Sequence, residues 1–238
     1  MSPAIGIGIP FRRGGGGMSA GETAIRAGNT VAWYDFSDLT TLTKDTGVTE
    51  AISRWNDKLL SGHDLIQATG ARQPIWSVGG VVYNAPAMCM ATVNFGYAQP
   101  EMIYLVVKQV TWVADKTIIN STAHGSGTLY QYGVTPELIA HCGGAGATIV
   151  ENGNFAVGVW GIVRILFNTA TSKLIVDDTI PVTGHFGSAN MNGIIIGGFS
   201  TTSVCANFII KEAIFRDVAD TAGNEAAIYA YLKAKYTL

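Results

Sequence analysis

Apolar residues along most of this chain either alternate with polar ones or gather in short blocks of strand length. Val31-Ala-Trp-Tyr-Asp-Phe reads as a short aromatic strand, and residues 53–76 follow it as polar loops. Met102-Ile-Tyr-Leu-Val-Val-Lys-Gln-Val is apolar through its middle, as a central strand covered on both faces must be. Residues 115–120 read as a short return strand. Thr128-Leu-Tyr-Gln-Tyr and Glu137-Leu-Ile-Ala-His alternate on either side of a turn carrying Pro136. Trp160-Gly-Ile-Val-Arg-Ile-Leu-Phe and Lys173-Leu-Ile-Val-Asp form a hairpin about Asn168-Thr-Ala-Thr-Ser. Ile194-Ile-Ile-Gly-Gly and Ala206-Asn-Phe-Ile-Ile-Lys-Glu-Ala-Ile-Phe complete the series, with a switch of facing expected after the outward Lys211. This succession predicts an all-β fold, a two-sheet antiparallel jelly-roll sandwich, rather than a parallel α/β sheet.

The pattern changes at both ends. Near the C-terminus Ile228, Leu232 and Tyr236 recur every four residues behind a cap at Asp220 or Thr221, with Lys233 and Lys235 in the final turn. That predicts one C-terminal α-helix lying on an edge of the sandwich, its tyrosines packed against the sheet. Residues 1–28 hold eight of the 29 glycines and predict an extended glycine-rich N-terminal arm, separate from a jelly-roll domain over 29–238. Within the arm Ile5, Ile7 and Ile9 alternate with glycine and lead into Pro10, Phe11, Arg12 and Arg13. An extended peptide with one bulky face and one bare face suits docking onto a partner surface, so these seven residues are the expected anchor. The other reading is a tail that carries a few apolar residues.

Composition narrows the partners. Hydrophobic residues make up 48% and charged residues 13%, leaving a surface of Gly, Thr, Ser and Asn that suits an assembly, with a homo-oligomer expected. The net charge is −2 without basic blocks, which excludes a nucleic-acid partner. The three cysteines, Cys89, Cys142 and Cys205, are widely spaced and read as buried thiols, not as a disulfide framework or a zinc site; the other reading is one disulfide and one thiol. The longest apolar runs have strand length, so no membrane insertion is expected. The first residues lack the pattern of a signal peptide, which points to synthesis in a cytoplasm without Sec export.

Catalytic and cofactor patterns are missing. There is no Gly-x-Ser-x-Gly elbow, and Gly143-Gly144-Ala-Gly146 lacks the Lys-Ser/Thr of a phosphate loop. No cofactor is expected. Asp177 with Asp178, or Asp57 with Asp64, has the carboxylates a calcium site would start from, although adjacent acids at a turn are usually solvated. Sugar recognition needs an aromatic ring beside hydrogen-bonding side chains. Trp112, Tyr130 and Tyr132, with His124 and Asn152, are the candidate ligand-binding residues; the same rings could instead fill the sandwich or a subunit contact.

Residues 31–236 resemble the concanavalin A-like lectin/glucanase superfamily in its laminin-G-like form. The resemblance rests on Trp33-Tyr-Asp-Phe, Ser53-x-Trp55-x-Asp57-Lys58, His63-Asp64-Leu65-x-Gln67 and Arg72-x-Pro74. It continues through strand 102–110, the Trp160 to Asp177 hairpin, and Lys211-Glu212-Ala-Ile-Phe with its helix. It implies two antiparallel sheets with Trp33 and Trp55 in the core, and a loop fixed by Asp57, Lys58, His63, Asp64 and Arg72. Members bind sugars, cleave glucans or serve in adhesion. The glucanases carry Glu-x-Asp-x-x-Glu on one strand, and none of the seven glutamates here has an Asp two residues on, so no enzyme is expected. Such domains are common in phage virions, and the arm is similar to leaders on virion-associated proteins. The resemblance therefore implies a non-enzymatic phage structural protein, held to other virion proteins by its arm and displaying the module for decoration or for adhesion to cell-surface glycan. The alternatives are a stand-alone carbohydrate-binding lectin or a glycan hydrolase.

Overall fold

The computed structural model describes residues 17–45, 50–143, 150–198 and 204–238. Its organising strand is Glu101–Gln109, whose first seven residues are all buried. Alternation along it sends Ile103, Leu105 and Val107 to one side and Met102, Tyr104 and Val106 to the other. Each side meets an apolar layer, which is why the sequence there is continuously apolar.

This strand lies at the middle of an eight-stranded sheet, sheet I, between Trp160–Phe167 and Phe208–Arg216. The edge of Phe208–Arg216 is shared by two partners. Gly80–Tyr83 pairs with its first residues and Thr30–Asp35 with its last. The register slips between Ile210 and Glu212, a bulge at the point where the sequence predicts a change of facing. Sheet II has nine strands, ordered Val150–Asn152, Leu138–Cys142, Ser126–Gln131, Lys116–Asn120, Ile195–Ile196, Met90–Ala91, Leu65–Ile66, Ile52–Trp55 and Leu42–Lys44. The pairings within both sheets are antiparallel, and the predicted sandwich is the observed fold. Trp55, Tyr34, Phe167 and Phe215 fill the core between the sheets. Cys89, Cys142 and Cys205 are buried free thiols.

The outer face of sheet I carries a second apolar layer under two helices. α1 spans Ala20–Arg26 and α2 spans Ala222–Tyr236. Ile228 and Leu232 of α2 and Ile25 of α1 close over Trp33, Tyr104 and Ile214. The expected arm is corrected here: 20–26 is not extended but helical, capped by Ser19, which accepts from the Glu22 amide. Gly21 explains the tight seat, since a Cβ there would lie 2.3 Å from the Ala227 carbonyl oxygen on α2. Arg216 donates to the Ala24 carbonyl at 3.0 Å and fastens α1 to sheet I. The arm can therefore extend no further than about Ser19. Ile5, Ile7, Ile9, Pro10, Phe11, Arg12 and Arg13 lie outside the described residues.

A buried ionic cluster joins the helices to the sheet. Asp35 and Glu212 sit directly opposite each other on neighbouring strands. Lys235 of α2 bridges them, 2.7 Å from Asp35 and 2.6 Å from Glu212, and Lys58 reaches Asp35 at 2.5 Å. Trp33 Nε1 and the Tyr236 hydroxyl also donate to Glu212. Burial would raise the Asp35 carboxyl, but Lys235 and Lys58 outweigh it and hold it below its ordinary value. Burial and the neighbouring Asp35 raise Glu212 against the pull of Lys235.

Two outcomes follow. Lys235→Met leaves facing carboxylates short of one cation, and removing one partner of a buried ion pair costs about 3–5 kcal/mol; a fall of that size in urea-unfolding stability checks it. Glu101 is fully buried, and burial pushes its carboxyl up to about 8, against the Met191 amide that donates to it at 2.7 Å. A raised carboxyl favours the folded state most below its ordinary 4.5 and loses that contribution as pH rises toward about 8. Glu101→Gln, neutral throughout, is expected to flatten the decline in unfolding free energy across that window, a change on the order of a few kcal/mol.

Candidate functional site

The polar loop that follows the first strand is structural. Asp57 is fully buried and accepts from the Trp33, Leu59 and Ser61 amides at 2.8, 3.2 and 2.8 Å and from the Ser61 hydroxyl at 2.5 Å. Asp64 accepts from the Asp57 amide and pairs with Arg54. His63 hydrogen-bonds the Val31 carbonyl and stacks on Phe95 at 3.6 Å between ring centroids. Trp33 and Trp55 are fully buried. With its carboxylates occupied by N–H groups and arginine, the Asp57–Asp64 pair has little left to offer calcium. Asp177 accepts from the Ile162 amide and Asp178 pairs with Lys233. Among the described residues no cluster of three or more His, Cys, Asp or Glu is placed to hold a metal ion.

The site with open geometry lies on the outer face of sheet II. Period two puts Thr128 and Tyr130 on that face of one strand, since Leu129 between them points into the core. Register then places His141 opposite Thr128 and Thr117 opposite Tyr130. These four side chains floor a depression of 320 Å³ whose wall is completed by Asp115 and Val204. The volume falls at the lower end for small-molecule sites, about 300–1,000 Å³.

Each group has a definite chemical state or orientation. Burial pushes the His141 imidazole below its ordinary 6.5, so at neutral pH the ring is uncharged and offers one donor and one acceptor. Tyr130 stands edge-on to His141 at 5.8 Å and to Tyr132 at 6.2 Å. The Thr128 hydroxyl donates to Asn120 Oδ1 at 2.8 Å. Asp115 is exposed at a left-handed turn, φ +61°, anchored by its amide to the Gln131 carbonyl. Val204 has φ +62°, a strained conformation for a β-branched residue, and its carbonyl accepts from the Thr117 amide at 2.8 Å.

The five residues predicted for ligand binding divide. Tyr130 lines the depression and Tyr132 packs against its ring. Trp112 is half-buried in the loop after the central strand and does not line the depression. His124 is exposed on the turn between the Lys116–Asn120 and Ser126–Gln131 strands, also outside it. Asn152 is corrected: it is 1% exposed, and its Oδ1 accepts from the Asn154 amide and side chain, so it fixes a turn. His141, Thr117, Asp115 and Val204 escaped the sequence reading. Alternation of Ile139 and His141 indicates a shared face, but only the strand register brings that face to Tyr130.

No protein-family model and no curated protein matches the chain. Solved structures do match in fold. Trypanosoma rangeli sialidase superposes on 87% of this chain with a TM-score of 0.59 and 10% identity. Domain 4 of AbnA, a GH43 extracellular arabinanase from Geobacillus stearothermophilus, solved with arabinotriose, matches 84% with a TM-score of 0.58 and 10% identity. The botulinum neurotoxin serotype D ligand-binding domain, solved with N-acetylneuraminic acid, matches 90% with a TM-score of 0.59 and 11% identity. The chain spans 33% of the sialidase, 53% of the neurotoxin chain and 98% of the arabinanase domain. At such identity the likeness concerns architecture alone, a two-sheet antiparallel β-sandwich.

Proposed function

We propose that this chain is a saccharide-binding module that acts by recognition rather than catalysis. The observation that carries the proposal is the depression on sheet II, where an aromatic ring stands beside a carboxylate, an uncharged imidazole and two threonine hydroxyls. A sugar presents hydroxyls alternating with weakly apolar C–H faces. Tyr130 supplies the apolar contact, and Asp115, His141 and Thr117 supply acceptors and donors. Strained backbone at Val204, on the rim, fits a site whose shape is held by its surroundings. Two of the structural neighbours were solved with a saccharide bound, which supports the same reading. Several carboxylates a hydrolase might use have other work: Glu212 and Glu225 are buried in ion pairs, and Glu101 is buried with a hydrogen bond to the Met191 amide.

We further propose that the module is displayed on a virion through residues 1–16. Two things support this: the Ile-Gly alternation of the sequence, and the position of α1. α1 lies on sheet I and the depression opens on sheet II, so the chain enters α1 on the side of the sandwich away from the site.

On a glycan array the intact chain is expected to select one saccharide class. Tyr130→Ala should weaken that binding at least about tenfold, a difference of 1.4 kcal/mol, with an unchanged melting temperature. No binding to any saccharide, or wild-type binding by the variant, would overturn the site. Removing residues 1–16 is expected to leave glycan binding intact and to abolish co-sedimentation with particles. Incorporation of the truncated chain would refute the anchor.

A further inference from the structure

A second group of side chains stands on the outer face of sheet I, at the margin of α2. Trp160 opens its strand opposite Lys108 of the central strand. Lys211 sits at the bulge of Phe208–Arg216, where the register slips between Ile210 and Glu212. The bulge lets both Lys211 and Glu212 face outward. Glu212 turns to Trp33 and Lys235, whereas Lys211 turns to Trp160. The Lys211 ammonium lies 4.1 Å from the centre of the Trp160 ring, and the Lys108 ammonium 5.2 Å from it. Lys211 is also 5.2 Å from the Tyr236 ring.

Among the described residues, Lys44, Lys58, Lys173, Lys233, Lys235, Arg26, Arg54, Arg164 and Arg216 each form an ion pair with a carboxylate. Lys108, Lys116 and Lys211 form none, and of these Lys108 and Lys211 share one indole. Burial, and then Lys108 itself, pull the Lys211 ammonium below its ordinary 10.5, so the two cations feel each other. The indole's negative face lessens this repulsion but does not neutralise the pair.

Trp160 is also a wall of a 420 Å³ depression, with Val159, Asp177, Asp178, Tyr229, Lys233 and Leu238. Two aromatic rings, Trp160 and Tyr229, flank it. Asp178 and Lys233, paired at 2.9 Å and partly exposed, offer an acceptor and a donor on its rim. The depression thus has the aromatic and polar parts of a sugar site; Lys108 and Lys211 do not line it but stand against the Trp160 ring that does.

We propose that this is a second saccharide site, specific for an acidic sugar whose carboxylate is held by Lys108 and Lys211 while its ring lies in the depression beside Trp160. The site does not depend on the Tyr130 depression, which lies on the other sheet. A carboxylate between two ammonium groups forms charge-assisted hydrogen bonds that a neutral sugar cannot form, and added salt weakens them.

Titration calorimetry of the intact chain with trigalacturonate and with galactotriose tests the proposal. The acidic trisaccharide is expected to bind at least about tenfold more tightly at low salt. Lys108→Gln with Lys211→Gln should erase that preference, Lys108→Arg with Lys211→Arg should keep it, and Tyr130→Ala should leave it untouched. Melting curves of the glutamine variant confirm that it folds. Four results would each overturn the proposal: equal affinity for the two trisaccharides; a preference that survives the glutamine substitutions; a preference lost in Tyr130→Ala but not in the glutamine variant; or inorganic sulfate binding as tightly as trigalacturonate, which would show an anion site without a sugar site.

Discussion

Two carboxylates facing each other across neighbouring strands form the constraint on which the rest of this molecule depends. Asp35 and Glu212 are buried, and opposed like charges destabilise a sheet unless they are compensated. Compensation comes from two directions. Lys58 arrives from the loop after the first strand, and Lys235 from the last turn of α2. The terminal helix is therefore held by ionic geometry as well as by its apolar stripe. The loop from Asp57 to Asp64 is held in turn, since the Asp57 carboxylate gathers three backbone amides and a hydroxyl. Strand, loop and helix, distant in sequence, close around one pair of acids.

That arrangement makes the faces of the sandwich unequal. The ionic cluster brings α2 onto sheet I, and α1 follows because Gly21 permits close approach to Ala227. The outer face of sheet I becomes a second core, with its polar ligand-like features left only at the margin where α2 ends. Among the described residues no helix covers the outer face of sheet II around Tyr130, and there Thr117, Thr128, Tyr130 and His141 meet. The placement of the helices decides which part of each outer face stays open.

Much of this was readable from residue order. The strands around 102–110, 160–167, 173–177 and 206–215 and the terminal helix lie where their periodicity puts them, because burial on two faces and amphipathicity leave direct marks. The break in facing after Lys211 is the observed bulge. The resemblance carried by Trp33, Asp57 and His63 led to the right architecture and to a structural role for those residues. α1 was hidden inside a glycine-rich segment whose composition argues for an extended chain; seven residues of helix gain their stability from α2, which local propensity does not contain. Asn152 was misjudged because a polar residue in a turn looks the same whether it faces solvent or fastens the backbone.

The sequence by itself determined the longer strands from 102 onward and the C-terminal helix, since these follow from periods of two and 3.6 along one chain; the short strands Ile52–Trp55, Leu65–Ile66 and Ile75–Ser77 lie where it reads as polar loops. Tertiary structure alone decided which residues act together. His141 meets Tyr130 through strand register, Lys211 meets Lys108 through a bulge, and Lys235 meets Asp35 through the docking of a helix 200 residues away. Each is a contact between separate elements, set by how the layers pack, and no local pattern in the sequence encodes it.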